Sequence, residues 1–181
     1  MPPSPFFLSA DPLLRARAST IAARLPDLHG RPIQLQRIPG LKDCRGPVHA
    51  ASFLRDRRIA FDCTRAEFPR IFVHELFHFV WLHCGNPLRW SFEDLVRVEC
   101  RSRATGELGW SAEWRKDDLQ SRDIRGRCRP WREYVCESFC DTAAWLYSGV
   151  NRHPEFTLPQ RNRLIRRRWF EQELEPRGLS I

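Results

Sequence analysis

His74, Glu75 and His78 stand in the order His-Glu-Leu-Phe-His, inside an apolar run that covers residues 68–83. On an α-helix, residues four apart lie one turn above each other on the same face. Two imidazoles at that spacing can hold one metal ion from a single rigid element, and zinc is the ion that suits them. The carboxylate of Glu75, next to the first imidazole, can then take a proton from a water on that ion, which is the chemistry of metal-assisted hydrolysis. Three fixed residues recur by chance on the order of once in 8,000 positions. Here the context narrows the chance further: Val73, Phe77, Val80 and Trp81 flank the histidine face, as in a largely buried helix. Two histidines and a glutamate are costly in such a place without a partner.

The elements that must position this motif can be read from punctuation and periodicity. Residues 1–10 are rich in proline and are expected to be loose. Asp11-Pro12 opens a helix reaching about residue 25, with aspartate as N-cap and proline at the first helical position. Three short strands follow at 33–38, 48–54 and 58–62, separated by Pro39-Gly40 and by residues 55–57; the alternation of Ile33 and Leu35, and more weakly of Ile59, Phe61 and Cys63, predicts a small sheet with one buried face. The motif helix starts near Phe68, with Pro69 in its first turn, and runs to about Cys84, where Gly85-Asn86-Pro87 stops it. Residues 86–130 are polar and arginine-rich, interrupted by Gly106, Gly109 and Gly126. They read as a loop-rich insertion with a short helix at 92–98, either walling a cleft or serving as a solvated connection. A second buried helix spans 131–147. An amphipathic helix at 158–174 carries Leu158, Ile165 and Trp169 on one face and arginines 161, 163, 166, 167 and 168 over the others. The whole chain of 181 residues is expected to form one α+β domain.

A catalytic zinc site takes three protein ligands and leaves a fourth position for water. His83 lies nine residues from His74, about 180° round the helix, and points elsewhere. A third histidine placed as in metzincins would need glycine at 81 and histidine at 84, where the chain has Trp81 and Cys84. A glutamate on a later helix is the remaining common solution, and here the sequence resembles the gluzincin peptidases, whose second motif is Glu-x-x-x-Asp. Two segments match it: Glu113 to Asp117, in polar sequence, and Glu137 to Asp141, in the apolar helix. The second is preferred, because a carboxylate in an apolar helix needs a metal or hydrogen-bonding partner.

The resemblance covers residues 58–149. It implies a zincin-like fold, with a small mixed sheet packed on the HExxH helix and a mainly helical C-terminal part. It further implies zinc held by His74, His78 and Glu137, Glu75 as general base, and Asp141 supporting His74 from behind. Gluzincins also use a tyrosine or histidine against the oxyanion; Tyr134, Tyr147 and His153 are the candidates. The implied activity is hydrolysis of a peptide or protein substrate.

The net charge is +8, and nearly all the positive residues are arginine, Lys42 and Lys116 being the only lysines. That bias suits phosphate contacts, so a regulatory or nucleic-acid-associated protein with a non-catalytic metal site is the alternative reading. The seven cysteines, at 44, 63, 84, 100, 128, 136 and 140, include no CxxC pair and suggest free thiols in a reducing compartment. Cys136 and Cys140 are expected to pack in the core, facing away from Glu137. With no basic leader, no apolar segment long enough to span a bilayer and no disulfide pattern, the expected location is the cytoplasm.

Overall fold

The computed structural model describes residues 4–43 and 46–181 and is a mixed α+β structure. In chain order the elements are β1 (Phe7–Leu8), α1 (Pro12–Ala22), β2 (Leu28–His29), β3 (Ile33–Arg37), β4 (Lys42–Asp43), β5 (Gly46–Pro47), β6 (Ala50–Phe53), β7 (Arg58–Phe61), α2 (Phe68–His83), α3 (Asn86–Arg101), α4 (Trp110–Asp117), α5 (Ser121–Gly126), α6 (Arg129–Tyr147), α7 (Gln160–Trp169) and β8 (Leu179–Ser180). A π-helical turn, Phe170–Leu174, continues α7.

The main sheet has the strand order β1-β3-β7-β6. Strands β1, β3 and β7 run parallel, with Phe7 opposite Ile33 and Leu35 opposite Ile59. β6 returns antiparallel beside β7, Ser52 opposite Ile59, and forms the edge. The β6–β7 turn ends on Arg57, whose positive φ of 49° is held by its guanidinium donating to the carbonyls of Pro32 and Arg31. Ile33, Leu35, Ile59 and Phe61 are all buried, and Phe7 and Phe61 meet Phe68 and Phe72 of α2 edge-on or tilted. This aromatic seam fixes α2 on the sheet, as expected from the alternation in β3 and β7. At the start of α1, the Asp11 carboxylate accepts the amides of Leu13 and Leu14, and Pro12 occupies the first turn.

The other face of α2 packs on α6. Phe77 stacks on Tyr147 at 5.6 Å, and Trp81 lies 4.9 Å from Phe139, which also stacks on Phe170. Both helices are therefore buried over most of their length, and polar side chains between them are held away from water.

Three expectations change. Residues 86–130 are not loop-rich: α3 alone has 16 residues, and α4 and α5 follow. The inward residues of α3 are Phe92, Glu93, Val96 and Glu99, so half of its buried face is carboxylate, which conceals the apolar stripe. Glu93 accepts from Arg97, Arg127 and the Trp131 indole, and Glu99 from Arg166. The N-terminal segment is not loose where it is described, because Phe7 is 1% exposed and β1 pairs with β3; residues 1–3 lie outside the described residues. On α7 the inward face runs through Asn162, Arg166 and Trp169, while Ile165 is 49% exposed. Arg166 is fully buried, bound to Glu99 and to Glu107. The basic face is thus partly a core ion-pair network. Among the described residues, no helix is long and apolar enough to cross a membrane.

Candidate metal centre

α2 places His74 and His78 one turn apart with ring centroids 5.0 Å from each other and their Nε2 atoms 3.3 Å apart. α6 crosses beside them and brings Glu137 Oε2 to 3.2 Å from His74 Nε2 and 3.9 Å from His78 Nε2. Zinc bonds of roughly 2.0–2.1 Å to nitrogen and oxygen imply tetrahedral edges of about 3.3 Å between donor atoms. The three donors therefore have the chemistry and close to the spacing of one face of such a tetrahedron.

The second nitrogen of each imidazole is also engaged. His74 Nδ1 lies 2.7 Å from Asp141 Oδ1, which fixes the proton on Nδ1 and turns Nε2 toward Glu137 and His78. The other oxygen of Asp141 accepts the Ala112 amide in the first turn of α4, at 3.1 Å. Gly109, just before that turn, is packed so tightly that a Cβ there would lie 2.2–2.4 Å from the Asp141 carboxyl atoms. On the other ring, His78 Nδ1 is 3.6 Å from Cys136 Sγ. Arg115 of α4 approaches Glu137 Oε1 at 3.3 Å and stacks on Trp114, so one oxygen of Glu137 is held while the other faces the histidines.

Burial would keep both imidazoles neutral, yet Asp141 and Glu137 outweigh it and hold His74 well above its ordinary range. His78, buried beside Cys136 and Glu137, is raised to about 9. Burial alone would push Glu137 up; the two imidazoles and Arg115 bring it down to about 2. Such a donor set favours positive charge at its centre.

Glu75 is 9% exposed, and its Oε2 accepts from Ser52 Oγ at 2.5 Å. Ser52 belongs to β6, whose outer edge pairs with no strand among the described residues. The same strand contributes Ala50 and Ala51 to a cleft of about 860 Å³ that is also lined by His74, Glu75, His78, Glu137, Trp110, Trp114 and Arg115. α4 thus walls the cleft.

His74, Glu75, His78, Glu137 and Asp141 all come together as expected. Glu113 does not join them: its carboxylate accepts from Thr157. Of the oxyanion candidates, Tyr134 donates to buried Glu107, Tyr147 to Glu175, and His153 Nε2 lies 3.3 Å from Glu67; none of the three lines the cleft. His83 turns to the carbonyl of Phe79, away from the centre. Cys136 corrects the expectation that it faces away, since α6 turns that thiol onto the back of the His78 ring. Ser52, Arg115 and Gly109 carry no motif, and only the folded chain places them at the site. Comparisons with family models, with curated proteins and with solved structures found no match for this chain.

Proposed function

We propose that the chain is a zinc-dependent peptidase of gluzincin type with a zincin-like fold. One observation carries this reading: the Nε2 atoms of His74 and His78 and Oε2 of Glu137 converge at 3.2–3.9 Å beside a cleft that also holds Glu75. Zinc held by these three side chains would polarise a carbonyl and make a water acidic near neutral pH. The chain's own groups do the rest. Glu75 accepts the proton of the attacking water and returns it to the nitrogen that leaves as the peptide bond breaks. Ser52 holds the Glu75 carboxylate in place through its hydroxyl. Asp141 keeps His74 in the tautomer whose Nε2 can ligate. Arg115 orients Glu137 from its far oxygen. The open edge of β6 offers main-chain partners to an extended substrate, and Trp110 and Trp114 supply apolar contact opposite it.

Part of the arginine excess serves the fold itself, since Arg70, Arg89, Arg97 and Arg166 are each engaged within it. The test is Glu75→Gln assayed on a complex peptide mixture beside wild type. The variant should keep its zinc and lose turnover by about 10²-fold or more; full turnover by the variant would sink the assignment of Glu75.

A further inference from the structure

Cys136 and Cys140 stand one turn apart on α6, adjacent in sequence to Glu137 and Asp141 but on a neighbouring flank of the helix. The first centre uses the Nε2 side of His78. On the opposite side of that ring, Nδ1 lies 3.6 Å from Cys136 Sγ, and the donor atoms of His78, Cys136 and Cys140 all fall within 4.8 Å of one another. Both thiols are free. For zinc bonds of roughly 2.3 Å to sulfur and 2.0–2.1 Å to nitrogen, a tetrahedral edge between the two donors is about 3.6 Å. The His78–Cys136 separation already has that length.

Two accounts fit a thiol at this place. In one, Cys136 Sγ only accepts a hydrogen bond from His78 Nδ1, as Asp141 does from His74, and Cys140 is a small buried filler. The other assigns a ligand role to both sulfurs. The distance of 3.6 Å suits an N–H···S hydrogen bond and equally two ligands of one ion, but a lone acceptor would need only one sulfur, and here a second lies within the same 4.8 Å. The second sulfur, fully buried, completes a Cys₂His set from two helices already locked together by aromatic packing.

We infer that the chain carries a second cation position, bounded by His78 Nδ1, Cys136 Sγ and Cys140 Sγ and set back to back with the first across the His78 ring. Its two sulfurs select a soft cation, Cu(I) or Zn(II), over the hard ions that carboxylates prefer. Loading releases the two thiol protons, together with the Nδ1 proton when Nε2 is already bound to a metal. The two positions therefore answer to each other through one imidazole. The inference shares His78 with the proposed zinc site but needs no hydrolytic activity.

Cobalt titration of the reduced, full-length chain tests it, because thiolate-to-cobalt charge transfer in the near ultraviolet reports sulfur ligation, whereas the visible bands report a tetrahedral site of any donors. The charge-transfer band should appear in wild type, in Glu137→Ala and in Cys128→Ser, and be lost in Cys136→Ser and Cys140→Ala. Cys136 is only half-buried, so its serine variant should keep the fold, checked by circular dichroism. Visible bands without charge transfer at saturating cobalt would leave the thiols as hydrogen-bonding neighbours and overturn the inference. So would a charge-transfer band that survives in both cysteine variants. A partial loss of visible absorption in Glu137→Ala, with charge transfer retained, would separate the two positions.

Discussion

His74 Nδ1 and Asp141 Oδ1 lie 2.7 Å apart, and the second oxygen of that carboxylate is tied to the Ala112 amide at the start of α4. Three helices thus share the task of aiming one imidazole: α2 carries it, α6 carries the carboxylate, and α4 fixes the carboxylate's rotation. Gly109 allows the close approach. Adding a methyl there would force Asp141 to move, since the new Cβ would fall 2.2 Å from its Cγ. Gly109→Ala should therefore weaken zinc by roughly 10–100-fold although it touches no ligand. Competition with a chromophoric chelator measures this; wild-type affinity in the variant would show that Asp141 does not matter to the metal.

Ser52→Ala tests the support of Glu75, the proposed general base. The Ser52 hydroxyl sits 2.5 Å from Glu75 Oε2, between β6 and α2. Zinc content should be unchanged, and turnover should fall by up to roughly 10²-fold as the carboxylate loses its fixed orientation. A parallel loss of zinc would instead place Ser52 in holding α2 against the sheet.

The buried network behind α4 should dominate the stability of the helical part. Arg166 donates to both Glu99 and Glu107, and Glu107 also receives the Tyr134 hydroxyl at 2.5 Å and Lys116 at 3.1 Å. Arg166→Met would leave two carboxylates buried with too few cations. A loss of about 3–5 kcal/mol is expected in denaturant unfolding; a loss below about 1 kcal/mol would mean that water reaches the site.

Acid should act on the same network. Burial would raise Glu107, but the charge and hydrogen bonds of Arg166, with Lys116 and Tyr134, outweigh it and hold the carboxyl below its ordinary value of 4.5. The folded state then binds fewer protons than the unfolded one in that region, so stability rises with pH there. This contribution is complete above about pH 4.5 and is lost as pH falls toward the lower folded-state value. Unfolding midpoints followed from neutral pH downward should drop less steeply below 4.5 in Glu107→Gln than in wild type; equal slopes would remove Glu107 as a source of acid lability.

Much of this was legible in the sequence where periodicity and punctuation agree. Asp11-Pro12, the alternation of Ile33 with Leu35, and Pro69 opening the motif helix each correspond to a structural element within a few residues. The spacing of His74 and His78 and the apolar setting of Glu137 and Asp141 pointed to side chains that the fold does bring together. What escaped were features that exist only between elements. α3 reads as polar because Glu93 and Glu99 point inward to arginines far along the chain. Arg166 reads as solvated for the same reason. Ser52 and Gly109 are ordinary residues locally, and their roles appear only when β6 and the start of α4 meet Glu75 and Asp141. The direction of the Cys136 thiol depends on how α6 is rotated against α2, which a helical wheel drawn for one helix does not contain.

The most direct measurement is the metal content of purified wild-type chain beside Glu137→Ala and Glu113→Ala. The account predicts that Glu137→Ala holds one zinc fewer per chain than wild type, whereas Glu113→Ala holds as many as wild type. No zinc in the wild type after zinc is supplied, or a zinc count unchanged without Glu137 and lowered without Glu113, would contradict it.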